Sequence, residues 1–143
     1  KDEKNITLKS IYGMNNIQFI VSKAKNSSLI IPETFYAKAE KELKHFNNTY
    51  ATAWNKCISL LMDQSMKKGR SEKQLRAQIQ SFNQEFEEMF RMQQQYIIFD
   101  DELKEQIISE LKLVLNPCYE AFIGRVNQSS LCNEGLIKYP QKI

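Results

Sequence analysis

The sequence predicts an all-α fold, a bundle of about four long antiparallel helices, and three observations predict it. Apolar residues recur at spacings of three and four over long stretches, the signature of a helical face. Only 4 glycines and 3 prolines interrupt 143 residues, too few for the turns that a sheet of hairpins requires. Hydrophobic residues make up 42% and charged residues 26%, the balance of a chain that buries a core and meets water. The length is that of one domain, 1–143, with a polar tail over 127–143.

Asn5 to Lys25 reads as the first helix, with Ile6, Ile11, Met14, Ile17, Ile20, Val21 and Ala24 as a broad apolar face. Gly13 weakens it by about 1 kcal/mol relative to alanine and marks a close helix contact. After the Asn26-Ser-Ser loop, Pro32 fits the first turn of a second helix, where its missing N–H is no loss. That helix is expected to run to about Lys68 as the longest, on a seam of Tyr36, Ala39, Leu43, Phe46, Tyr50, Ala53, Cys57 and Leu60. The aromatic residues in the seam, with Trp54 beside it, favour packing within a bundle over a free coiled coil.

The next helix opens at Ser71, a capping residue with Gln74 three places on. Leu75, Ile79, Phe82, Phe86 and Met89 form its stripe, and it should pair antiparallel with the helix before it. It ends near Gln95, and Tyr96 to Phe99 form a short apolar plug expected to seal the bundle end. Asp100 or Asp101 caps the last helix, whose stripe is Leu103, Ile107, Leu111, Val114, Cys118, Ala121, Phe122 and Val126. Pro117 is expected to kink that helix or break it at Asn116.

Chemistry is thinly represented. Glu42 and His45 have the E-x-x-H spacing of di-iron helices, but such a centre needs two copies and further carboxylates. His45 is the only histidine and falls outside the seam, so a solvated helix face is expected, with no metal and no cofactor. Glu85, Glu87 and Glu88 spread around a helix surface and do not converge as an acid–base pair must. With no glycine-rich phosphate loop either, the expectation is a protein that is not an enzyme. Cys57, Cys118 and Cys132 form no CxxC pair, as in a reduced intracellular chain with buried thiols. The net charge of +3 is too small to argue for nucleic acid as a partner. Lys67, Lys68, Arg70, Lys73 and Arg76 form a compact basic cluster at the helix hairpin, a candidate contact patch for an acidic lipid or protein surface. Helix-end cations and solubility are the plainer account of it.

Several stretches together resemble one family, in its order. They are Met14-Asn-Asn16 with Ile17 and Phe19-Ile-Val21, Tyr50 through Ala53-Trp54, and Ser81-Phe-Asn83 with Phe86-Glu-Glu88. Gln93, Asp100, Leu103-Lys104, Tyr119, Ala121-Phe122, Gly124-Arg125 and Ile137-Lys138-Tyr139 complete them. These residues are similar to the C-terminal part of the seventy-kilodalton subunit of the exocyst tethering complex, in its plant-type form. The resemblance implies an elongated helical bundle, the C-terminal portion of a rod-like subunit. It implies a cytoplasmic protein, peripheral at the plasma membrane, that tethers secretory vesicles together with other exocyst subunits. It also implies a phosphoinositide membrane contact through basic residues near the end of the chain. Lys138 matches one such lysine, with Lys142 and Arg125 as further basic members; for Arg125 a structural role is expected. Gly135 stands where the family has the basic partner of Lys138. A second implication is a truncated exocyst-like domain in a plant immune receptor, acting as bait for a pathogen effector protein.

Overall fold

A computed structural model of the chain describes residues 2–62, 72–128, 135 and 137–138, with side chains of the first helix described from Asn5 on. The described residues are all-helical, in five helices: α1 (Asp2–Lys25), α2 (Glu33–Thr52), α3 (Asn55–Met62), α4 (Glu72–Gln93) and α5 (Asp101–Asn127). They fall into two compact units, one of Lys1–Ala53 with Gln94–Ile107 and the other of Trp54–Gln93 with Ile108–Ile143.

The helix expected to run unbroken to Lys68 stops at Thr52, and a turn at Ala53 and Trp54 separates α2 from α3. Side-chain hydroxyls bond to the backbone beside the stop. Thr49 Oγ1 donates to the His45 carbonyl at 2.9 Å and Thr52 Oγ1 to the Thr49 carbonyl at 2.6 Å, contacts that bend a helix. The Ala53 N–H then takes the tighter bond to the Tyr50 carbonyl at 3.0 Å. The heptad seam runs through the turn without registering it, because Ala53 and Trp54 are themselves buried.

In the first unit α1 packs on α2. The buried face of α1 is Thr7, Ser10, Ile11, Met14 and Ile17, while Ile6 and Ile20 of the expected face are exposed. Ser10 is tolerated at 1% exposure because its hydroxyl donates to the Ile6 carbonyl at 2.8 Å. Gly13 marks a close contact, as expected. A Cβ there would stand 2.6 Å from Cζ of Phe46, whose ring lies against the α1 backbone. Pro32 is the N-cap of α2, and its carbonyl accepts from Phe35 N–H at 3.0 Å.

In the second unit α3 and α4 run antiparallel, held by Trp54 on Phe86, Lys56 with Glu85, and Gln78 Nε2 donating to the Leu60 carbonyl. All five residues of the expected α4 stripe are buried. Phe82 is the hub, its ring 5.7 Å from Phe86, 5.5 Å from Tyr119 and 6.4 Å from Phe122. These are the separations at which aromatic rings attract beyond simple burial. Ser71, expected to cap α4, lies outside the described residues.

Asp100 caps α5, its carboxylate accepting from Leu103 N–H at 2.8 Å and its carbonyl from Lys104 N–H at 3.0 Å. The helix continues through Pro117 rather than breaking at Asn116. The carbonyl left without its N–H partner belongs to Leu113, an exposed residue. The expected α5 stripe is right at Leu103, Ile107, Phe122 and Val126 and wrong between them. Leu115, Tyr119 and Ile123 are buried there, while Val114 and Ala121 are exposed and Leu111 and Cys118 half-buried. Apolar residues occupy more than one side of this helix, so spacing alone cannot choose the buried one.

Candidate functional site

The basic residues named by the sequence stand in different settings, so far as they are described. Lys67, Lys68, Arg70 and Lys142 lie outside the described residues, and of the hairpin cluster Lys73 is exposed and Arg76 half-buried on α4. Lys138 is exposed and its ammonium contacts Glu87 Oε1 of α4 at 2.7 Å. Glu85 pairs with Lys56 at 2.7 Å, so two of the three α4 glutamates hold lysines. Glu88 is exposed.

Arg125 is placed inward. It donates from Nη2 to the Leu61 carbonyl at 2.9 Å, and its guanidinium lies 5.8 Å from the centre of the Phe122 ring. Leu61 is in the last turn of α3, where carbonyls lack helical partners, so Arg125 satisfies a group that the helix itself leaves open. A cation at that position also complements the negative end of the helix. Gly135 has φ 65, a backbone conformation that a side chain strains to adopt.

Two features escaped the sequence reading. Asn15 clips the segment after α4. Its Nδ2 donates to the Ile97 carbonyl at 2.8 Å, and its Oδ1 accepts from Phe99 N–H at 3.1 Å. The Tyr96–Phe99 segment alternates, with Tyr96 and Ile98 half-buried while Ile97 is 64% and Phe99 80% exposed. The Asn15-Asn16 pair sits between Met14 and Ile17, which was the only signal available. The second feature is a cleft along α1 and α2. One part, about 210 Å³, is lined by Ile17, Ile20, Phe35, Lys38, Ala39 and Glu42. The other, about 560 Å³, is lined by Lys38, Lys41, Glu42, His45 and Phe46. Glu42 and His45 are thus groove-lining residues on an exposed face. Among the described residues no group of three or more His, Cys, Asp or Glu side chains gathers as metal ligands. Among them, too, no helix is long and apolar enough to cross a membrane.

Helical packing, inward-turned stabilising cations and open clefts define a class: an all-helical protein that offers surfaces. The chain belongs to the family defined by the C-terminal region of the Exo70 subunit of the exocyst complex, and the model of that family matches residues 1–142. It is 28% identical over 141 residues to exocyst complex component EXO70B1 of Arabidopsis thaliana, covering 95% of this chain and 23% of that protein. With Arabidopsis EXO70C2 it shares 30% identity over 134 residues, 90% of this chain and 19% of the relative. The Saccharomyces cerevisiae exocyst component EXO70 is 25% identical over 144 residues, 97% of this chain and 23% of the yeast protein. The chain therefore spans about a quarter or less of the length of these relatives. No solved structure matches it.

Proposed function

We propose that the chain is a non-enzymatic module of an exocyst-type tether, acting in the attachment of secretory vesicles to the plasma membrane. The observation that carries this reading is the family match over 1–142, with relatives in plants and yeast that are themselves exocyst components. In this role the chain works from the cytoplasmic side as a peripheral protein and contacts other exocyst subunits. Lys138 supplies the phosphoinositide contact, with Lys142 four residues on in the sequence, and Glu87 competes with the lipid phosphates for the Lys138 ammonium. Arg125 supports that end of the chain indirectly, by holding α5 to α3.

The tagged chain, expressed in plant cells beside the matching segment of EXO70B1, is expected to co-purify other exocyst subunits. Retention of those subunits by the EXO70B1 segment alone would contradict the proposal.

Gly135 favours a second reading, an effector-binding bait within a plant immune receptor. A left-handed glycine stands where the tethering family places a basic residue, so the lipid contact is thinner here. Nucleotide-binding and leucine-rich-repeat domains on the same polypeptide would support the bait and contradict the tether.

A further inference from the structure

We propose that the cleft along α1 and α2 is a docking groove for an acidic, amphipathic helix of a partner protein. The inference does not depend on the lipid contact at Lys138, which lies in the other unit. The two parts of the cleft share Lys38 and Glu42 and so form one continuous surface. Its floor is apolar, made by Ile17 and Ile20 of α1 and Phe35, Ala39 and Phe46 of α2. Ile20 is 52% exposed, a large apolar side chain left facing water in a groove that something else can cover. The floor is also held in place from beneath. Phe46 rests on the bare backbone of Gly13, where a Cβ would meet the ring at 2.6 Å, so the ring cannot settle lower.

Charge selects the occupant. Lys38, Lys41 and His45 follow one another at spacings of three and four, which puts them along one side of α2. Lys38 and Lys41 are exposed, and neither makes an ion pair among the described residues. Glu42 is the one carboxylate among the lining residues, against two ammonium groups. The groove is thus apolar in its depth and positive at its rim. A helix with a stripe of large aliphatic residues flanked by glutamate or aspartate complements both properties. The lining residues of α2 run from Phe35 to Phe46, about 16 Å at the helical rise, enough to seat about three turns of a partner helix.

The probe is a labelled peptide of about three heptads with leucine at the apolar positions and glutamate flanking them. A control peptide carries lysine in place of every glutamate. Each is titrated into the full chain by fluorescence anisotropy, and the binding face is mapped by NMR. The acidic peptide is expected to bind about tenfold tighter than the control, more weakly as salt rises, with shifts centred on Ile17, Ile20 and Lys38 to Phe46. The exposed double substitution Lys38→Glu with Lys41→Glu should abolish the preference. Lys9→Glu with Lys23→Glu, on α1 outside the lining, should leave it intact, and both variants are checked for native helicity. Equal affinity for the two peptides, or shifts confined to other residues, would overturn the proposal. So would phosphoinositide vesicles engaging this face without displacement by the acidic peptide, which would make the groove a lipid site.

Discussion

The two units of the chain hold themselves together by different means. The second is organised around stacked aromatics, with Phe82 among Phe86, Tyr119 and Phe122, and Trp54 against Phe86. The first has no such hub among its described residues. Its helices meet through a glycine, through buried Thr7 and Ser10, and through an asparagine that clips a passing segment. Among the described residues it also leaves more large apolar side chains in water, including Tyr12, Phe19, Ile20, Ile97 and Phe99. The second unit exposes, among its described residues, Met62, Phe90, Leu113 and Val114. The contrast separates two tasks. An aromatic cluster confers stability without needing a partner, whereas polar clips and shallow packing keep a surface open to one.

Substitutions can break or sharpen this contrast, and the largest effect is expected at its centre. Phe82→Ala removes a ring at 1% exposure with three aromatic neighbours and should lower stability by about 3–5 kcal/mol in urea unfolding. A loss under about 1 kcal/mol would mean that the cluster is not what holds that unit. Gly13→Leu should be smaller, about 1–3 kcal/mol destabilising, because the new side chain must displace Phe46 from the α1 backbone. Helix propensity pulls the other way by about 1 kcal/mol, so a net gain in stability would show that the ring moves aside freely. Asn15→Ala should be smallest. It removes two exposed hydrogen bonds, and amide exchange at Phe99 should accelerate about fivefold while global stability changes by under about 1 kcal/mol. Unfolding of the whole chain on that change would contradict the role of Asn15 as a local clip.

The helical class was legible because nothing in the sequence competes with it, and α4 was legible residue by residue because its apolar positions lie on a single stripe. The misreadings have separate physical causes. Where apolar residues surround a helix, as on α5, spacing names several faces and only packing picks Leu115 and Tyr119 over Val114. Where a helix stops with buried apolar residues in the turn itself, as at Ala53 and Trp54, the hydrophobic seam passes through unaltered. Of the two expectations at Pro117, a kink or a break at Asn116, the break is the one overturned, since α5 continues through the proline. Of the candidate site, the sequence named Lys138 but held no sign of its pairing with Glu87, a contact between residues 51 apart. The groove on α1 and α2 was half visible, in that Glu42 and His45 were noticed for their spacing and weighed as metal ligands against a solvated helix face.

Vesicle binding tests the central claim, that this chain acts by recognising surfaces at a membrane. The full chain is sedimented with vesicles containing phosphatidylinositol bisphosphate and with neutral vesicles of the same size. Binding should favour the phosphoinositide vesicles and weaken with salt. Lys138→Ala should reduce it about fivefold, corresponding to about 1 kcal/mol for one basic residue at an anionic surface. Glu87→Gln, which releases the Lys138 ammonium, should increase it. Equal sedimentation with both vesicle types, unchanged by either substitution, would contradict the account.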